Sequence, residues 1–147
     1  ANGSGKSTLL TWMGRRSAPT EDSVGGLTVS GSVFWIPQHL PKLGDPGVDE
    51  NVWTEGIGDR GRGSLHPRLW NRPISELSDG NQRRVQLALA AAAGPEVLVV
   101  DEPTNYLDLD ALEMLEAAVR TWTGTLIVAS HDRWLIEHWW GRRLHLR

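Results

Sequence analysis

Apolar and polar positions follow two different patterns in the second half of the chain. Val97–Val100 and Thr125–Ala129 are short, nearly continuous apolar runs, which is typical of buried parallel strands. Between them, from Asp108 to about Arg120, apolar residues recur at three- and four-residue spacing, which predicts an amphipathic helix. A strand, a helix and a second strand in this order predict a parallel sheet with crossover helices.

The first half of the chain continues this alternation. We predict a helix from about Lys6 to Gly14, a polar loop through Gly26, and strands at Leu27–Val29 and Ser32–Ile36. The whole pattern predicts a three-layer α/β fold around a parallel sheet.

Glycine and proline mark the remaining boundaries. They crowd the segment from Pro41 to Ser64, which we predict to be the most mobile region. An alanine- and leucine-rich helix is predicted to end at about Ala93, because Gly94 and a proline follow it. A last helix is predicted from Arg133, followed by a short strand near Leu144.

Composition narrows the class of protein. The chain has 147 residues, of which 39% are hydrophobic, enough to bury a core. It has no cysteine and no apolar stretch of roughly 18 residues, which predicts a cytoplasmic location and no membrane span in this portion. Its net charge of −3 argues against a strongly basic surface that binds RNA by itself.

The eight tryptophans could serve as a stacking platform for bases or drugs, or as packing. Trp122 continues the apolar stripe of the helix before it, and Trp134, Trp139 and Trp140 lie in an amphipathic tail. We therefore predict that these tryptophans pack.

The first eight residues, Ala1 to Thr8, read ANGSGKST and match all but the first glycine of the phosphate loop G-x-x-x-x-G-K-[ST]. Glycines let the backbone N–H groups approach a phosphate closely, a lysine adds positive charge at the β/γ oxygens, and a hydroxyl can bind Mg²⁺. The pattern predicts an ATP and Mg²⁺ site with Ser7 as a metal ligand. The nucleotide-binding residues predicted in this loop are Asn2, Gly3, Ser4, Gly5, Lys6, Ser7 and Thr8.

Two adjacent carboxylates end the buried run at Val97–Val100. Asp101 and Glu102 are thereby placed at the carboxyl edge of the predicted sheet, where α/β proteins handle phosphate and metal. We predict that Asp101 holds Mg²⁺ and that Glu102 polarises the water that attacks the γ-phosphate. An acid pair alone is often only a solvated strand end. A phosphate loop in the same chain strengthens the interpretation that the pair acts on nucleotide and metal.

Residues 77–85, LSDGNQRRV, complete a set of motifs that resembles the ATP-binding cassette (ABC) family, whose signature is commonly L-S-G-G-Q. Gln38 in I-P-Q resembles the family's Q-loop glutamine, and His131 in S-H-D-R resembles its switch histidine. The motifs also stand in the family's order along essentially the whole chain. The resemblance implies a P-loop NTPase fold with a short helical arm.

The resemblance also implies roles for residues that would carry little meaning singly. Gln38 would contact nucleotide and Mg²⁺, and His131 would be catalytic beside Glu102. Ser78 and Gly80 would bind a nucleotide held by a second cassette, because such cassettes close face to face on two ATP molecules.

One subfamily resembles the chain most. T-N-x-L-D at residues 104–108 and G-x-V-x-x-x-P-Q at residues 31–38 resemble ABC-F proteins, as does the short arm after Gln38. This implies a ribosome partner and a role in translation or in antibiotic resistance by ribosome protection. Two alternatives stay open: the ATPase subunit of a membrane transporter, and a degenerate cassette that binds ATP only to hold a dimer.

Three residues depart from the family pattern: Asp79, Asn81 and Tyr106. A carboxylate at residue 79 could cap the signature helix or repel the phosphate, and we favour capping. Tyr106, where ABC-F members usually have histidine, is expected to change contact with the partner cassette.

The chain is interpreted as a partial ABC transporter-type ATP-binding domain over residues 1–147. The strand that normally precedes the phosphate loop, and the aromatic residue that stacks on adenine in this family, would lie before Ala1. Residues 39–93, approximately, would form the helical arm and the signature helix.

Overall fold

The computed structural model describes residues 6–14, 22–24, 27–45 and 48–144, which form two compact units. The first unit comprises Ala1–Gln38, Pro95–Thr104 and Gly124–Arg147. The second comprises His39–Gly94 and Asn105–Thr123.

A parallel sheet forms the centre of the first unit. Its strands are β3 (Val33–Ile36), β4 (Val97–Asp101) and β5 (Thr125–Ala129), with β4 in the middle. Every residue of β4 is buried, as expected for a central strand whose two faces are both covered. The predicted parallel α/β sheet is confirmed.

Helix α1 (Lys6–Gly14) packs against β3 and β4, and its bounds agree with the prediction. The apolar core of this unit consists of Leu10, Met13, Val29, Val97, Val99 and Ala129. Apart from the parallel sheet, β1 (Asp22–Val24) and β2 (Leu27–Val29) pair antiparallel. The prediction of a loop through Gly26 was therefore wrong at β1, whose three residues include one apolar residue and so form no apolar run or alternation that predicts a strand.

The end of the first unit differs from prediction. Helix α5 (Arg133–Glu137) is capped by Asp132, and residues 142–144 are not in a strand. Because α5 ends so early, the amphipathic stripe does not continue. Trp134 is exposed and stacks on His138, and Trp140 is exposed and stacks on Trp139, so the prediction that these two tryptophans pack as part of an apolar face was wrong. Trp122 and Trp139 are half-buried.

The second unit is helical. It contains α2 (Glu50–Glu55), three 3-10 turns at Gly58–Gly61, Pro67–Leu69 and Ile74–Glu76, then α3 (Asp79–Ala93) and α4 (Leu109–Thr121). The Gly- and Pro-rich stretch supplies part of the core of this unit. The buried apolar residues of that core are Val52, Ile57, Leu65, Ile74, Leu77, Val85 and Ala88.

Helix ends in this unit follow local chemistry. Asp49 caps α2, Ser78 caps α3 and Asp108 caps α4, each through a side-chain oxygen that accepts backbone N–H bonds. Gly94 closes α3 with a φ of 54°, a left-handed conformation that glycine adopts without penalty. No helix in the described ranges is long and apolar enough to cross a membrane.

Candidate functional site

The carboxyl ends of the three parallel strands bring several predicted site residues to one edge of the sheet. Ile36 of β3 lies opposite Val100, and Asp101 lies opposite Ala129. The residues that follow these strand ends therefore share this edge. They are Gln38 after β3, Asp101 and Glu102 at the end of β4, and Ser130 and His131 after β5.

Glu102 occupies a special backbone position. Its φ is 51°, in the left-handed region that non-glycine residues rarely adopt, and its N–H donates to the carbonyl of Ala129 at 2.8 Å. The side chain is 2% exposed. Such a conformation persists only where the surroundings hold it, and it is concentrated at functional sites.

Ser130 and His131 both contact the Glu102 carboxylate. Nδ1 of His131 lies 2.7 Å from Oε1, while the backbone N–H of His131 and the hydroxyl of Ser130 donate to Oε2 at 3.3 and 3.4 Å. An ionised carboxylate only accepts, so a hydrogen bond between it and His131 requires the hydrogen to be on Nδ1. The His131 side chain is 76% exposed.

Ser130 links this pair to the next helix. Its Oγ accepts the N–H of Asp132 at 3.0 Å, and Asp132 in turn accepts the N–H of Leu135 at the start of α5. This role for Ser130 was not foreseen from the sequence. Its only signal was its position directly before the predicted switch histidine.

The other nucleotide-site predictions in the first unit are less fully described. Gln38 and Thr8 are exposed, and Lys6 and Ser7 begin α1. The side chains of Lys6 and Ser7 lie outside the described residues, as does the loop Asn2, Gly3, Ser4 and Gly5. Their roles stay predictions.

Asp101 has the chemistry of a magnesium ligand. It is 5% exposed and ends the central strand. Magnesium prefers oxygen ligands and is often held by only one or two carboxylates, together with phosphate oxygens and water. In the described parts of the chain no group of three or more His, Cys, Asp or Glu side chains could hold a metal by itself.

The signature residues lie in the second unit, at the start of α3. Ser78 is the N-cap, and its Oγ accepts the N–H of Asn81 at 3.4 Å. The prediction that Asp79 caps this helix was therefore wrong, because Asp79 is already its first helical residue. Ser78 and Asp79 are exposed, and a helix N-terminus with its N–H groups attracts anions.

The turn from Asn105 to Asp108 touches this helix. A Cβ on Gly80 would lie 2.9 Å from the carbonyl oxygen of Tyr106, so only glycine fits there without a shift. Tyr106 has a φ of 70°, and the guanidinium of the buried Arg83 lies 5.7 Å from its ring centroid. Arg84 forms an ion pair with Asp108 at 2.8 Å. Sequence reasoning assigned no role to either arginine, although both lie within residues 77–85.

Comparison with known proteins identifies matches over most of the chain. The profile of the ABC transporter family matches residues 1–105. Ribosome protection protein VmlR of Bacillus subtilis is 32% identical over 92% of this chain and 26% of its own length. ABC transporter F family member 2 of Arabidopsis thaliana is 33% identical over 99% of this chain and 23% of its own length. The chain thus spans about a quarter of the length of these relatives.

A solved structure shares the fold. It is the dimeric structure of a post-hydrolysis state of the ATP-binding cassette MJ0796 bound to ADP and Pi. The two chains superpose with a TM-score of 0.59 at 23% identity, over 90% of this chain and 72% of the other. At this identity the likeness concerns the fold alone.

Proposed function

This chain belongs to the ATP-binding cassette family, and on that premise we propose that it binds and hydrolyses Mg-ATP as part of an ABC-F-type protein that acts on the ribosome. The observation that carries the hydrolytic part is the contact of the buried Glu102 carboxylate with His131 at the carboxyl edge of the sheet. Glu102 is the general base in this proposal, and His131 holds its carboxylate in one orientation.

The remaining residues bind the nucleotide. Lys6 neutralises β/γ oxygens, while Asn2, Gly3, Ser4, Gly5, Ser7 and Thr8 surround the phosphates. Ser7, Gln38 and Asp101 are the proposed Mg²⁺ ligands, directly or through water. When bound, Mg²⁺ would offset charge on the phosphates and polarise the bond that breaks.

A second cassette completes the site in this proposal. Ser78 and the N–H groups around Gly80 bind the nucleotide held by that cassette. This is supported by the exposed position of Ser78 as the N-cap of α3, because the first N–H groups of a helix have no partner within the helix. The structural neighbour MJ0796 is itself a dimer of cassettes with ADP and phosphate bound.

We further propose a ribosome partner and a cytoplasmic location for this protein. They are supported by the T-N-x-L-D turn and by the two relatives above, one named a ribosome protection protein and the other an F family member. Function in translation or in antibiotic resistance follows from that partner.

The decisive experiment uses Glu102→Gln in the full-length protein. Loss of the carboxylate charge should stop hydrolysis while ATP binding persists, since Lys6, Ser7 and Asp101 are unchanged. The variant should accumulate with ATP bound and co-sediment with ribosomes only when ATP is present. The matched control is Glu116→Gln on α4, which is remote from the phosphate site in sequence and should behave as wild type.

Each part of the proposal can fail separately. Normal ATP hydrolysis by Glu102→Gln would show that Glu102 is not the general base. If that variant is trapped with ATP yet fractionates with membranes and leaves ribosomes untouched, the transporter alternative replaces the ABC-F role.

A further inference from the structure

One guanidinium in the second unit joins three segments of the chain. Nη2 of Arg84 lies 2.8 Å from Oδ1 of Asp108, and Nη1 donates to the carbonyl of Ser64 at 3.4 Å. Nη1 also lies 3.9 Å from the sulfur of Met114 on α4. Arg84 thereby connects the signature helix α3 with the Asn105–Asp108 turn and with the helix that follows it.

The same turn is in direct contact with the signature motif. The backbone of Gly80 approaches the carbonyl of Tyr106 so closely that a Cβ would meet it at 2.9 Å. A movement of the turn towards α3 would therefore displace Gly80. Arg83, which is fully buried, supports the ring of Tyr106 from beneath by a cation–π contact.

We propose that Arg84 is a positioning residue for ATP hydrolysis. Through Asp108 it fixes the Asn105–Asp108 turn against Gly80, and so fixes the N-terminus of α3 that serves the partner cassette's nucleotide. The inference rests on that part of the proposed function. Hydrogen-bond donors accelerate a reaction only when they are held in the productive geometry, so a small displacement of Ser78 and its neighbours would slow turnover.

The exposure of the ion pair separates positioning from simple stabilisation. The side chain of Asp108 is 70% exposed and that of Arg84 is 19% exposed. An ion pair with one partner this open to solvent contributes little to the free energy of unfolding. Its loss should therefore act on turnover much more than on the melting temperature.

The test compares variants of the full-length protein by kcat, ATP dissociation constant and melting temperature. Asp108→Asn keeps a side-chain oxygen that can cap α4 but removes the negative charge. Arg84→Lys keeps the positive charge but removes the planar guanidinium with its several N–H donors. Arg84→Ala removes both. Arg72→Ala is the matched control, because it breaks an exposed ion pair with Glu76 in the same unit.

We expect Arg84→Ala and Asp108→Asn each to lower kcat by about tenfold, and the double variant to be no slower than either. Arg84→Lys should retain part of the rate. ATP affinity should stay within about twofold of wild type, because the residues proposed to bind the cassette's own ATP lie in the first unit. Arg72→Ala should leave kcat and melting temperature unchanged.

Two results would overturn the inference. One is normal kcat in both Arg84→Ala and Asp108→Asn; the other is a parallel loss of kcat, ATP affinity and melting temperature. If Arg84→Ala fails to fold, the kcat and melting temperature of Asp108→Asn decide whether the inference holds. Ser78→Ala distinguishes the two proposals. Normal turnover of Ser78→Ala would contradict the proposed role of the signature. Slow turnover of Ser78→Ala, together with normal turnover of the Arg84 and Asp108 variants, would contradict only the role of Arg84.

Discussion

At the scale of single residues, a carboxylate is useful only in the orientation that its neighbours impose. Glu102 is buried, its backbone is left-handed, and it accepts hydrogen bonds from Ser130 and His131. The geometry gives Ser130 a supporting role that its residue type alone does not suggest.

Ser130→Ala removes the hydroxyl that donates to Glu102 and accepts from Asp132. One such hydrogen bond contributes about 1 kcal/mol, so we expect roughly a fivefold lower kcat with unchanged ATP affinity. Steady-state kinetics with a direct ATP-binding measurement checks this, with the exposed Ser75→Ala as control. An unchanged kcat would show that Ser130 does not orient the base.

The two lysines of the chain provide a matched pair for the phosphate loop. Lys6→Ala should remove most ATP binding, because a phosphate charge loses its cationic partner. Lys42→Ala, in an exposed loop, should bind ATP normally. Calorimetric titration of full-length variants measures both. Normal ATP affinity in Lys6→Ala would refute the assignment of the phosphate loop.

At the scale of elements, the ends of helices carry much of the chemistry. Ser78 caps α3, Asp108 caps α4 and Asp132 caps α5, and the side chain of each accepts a backbone N–H from the first turn of its helix. Asp108 has a second function, because its capping oxygen also pairs with Arg84. One carboxylate oxygen is thus shared by the cap of α4 and by a side chain of α3.

The titration of Asp108 is a direct measure of this arrangement. The N–H of Ala111, and then Arg84, lower the pKa of its carboxyl below the ordinary value of 3.8. Because the folded pKa is the lower one, the stabilisation is complete above pH 3.8 and is lost as pH falls through the folded value. Arg84→Ala should raise the pKa of Asp108 towards its ordinary value without reaching it, since Ala111 still donates. Carboxyl NMR titration measures this; an identical midpoint in both proteins would contradict the ion pair.

At the scale of the whole molecule, β4 is the element on which the hydrolytic site depends. Val99 is fully buried in the middle of the sheet, two residues before Asp101. Its neighbours on β3 and β5 are Trp35 and Ile127. The strand therefore combines core packing with the placement of the carboxylates.

Val99→Ala should lower the free energy of unfolding by roughly 2 kcal/mol, because it leaves a cavity in a packed core. Denaturant unfolding of the full-length protein, followed with and without ATP, measures the loss. The half-buried Val119→Ala on α4 is the control and should lose less. An equal loss in both variants would mean that the centre of the sheet is no better packed than the surface of a helix.

The sequence by itself predicted most of the elements and their order, but not β1, and it predicted a strand near Leu144 although residues 142–144 are not in a strand. The bounds of α1 and β2, the extents of β4 and β5 to within one residue, and the end of α3 at Ala93 all agree with the structure. Hydrophobic periodicity and Gly or Pro boundaries are local properties, so they can be deduced from neighbouring residues. The motifs likewise pointed to Glu102 and His131 before any contact was known.

Only the tertiary structure decided which side chains meet. Ser130 and His131 reach Glu102, and Arg84 reaches Asp108, across long stretches of chain, and Asp79 does not cap the helix that its position suggested. The exposure of Trp134 and Trp140 could not be deduced from the hydrophobic pattern either, because it depends on where α5 ends. Such contacts follow from packing, rotamers and backbone dihedrals of distant segments, which the local order of residues does not determine.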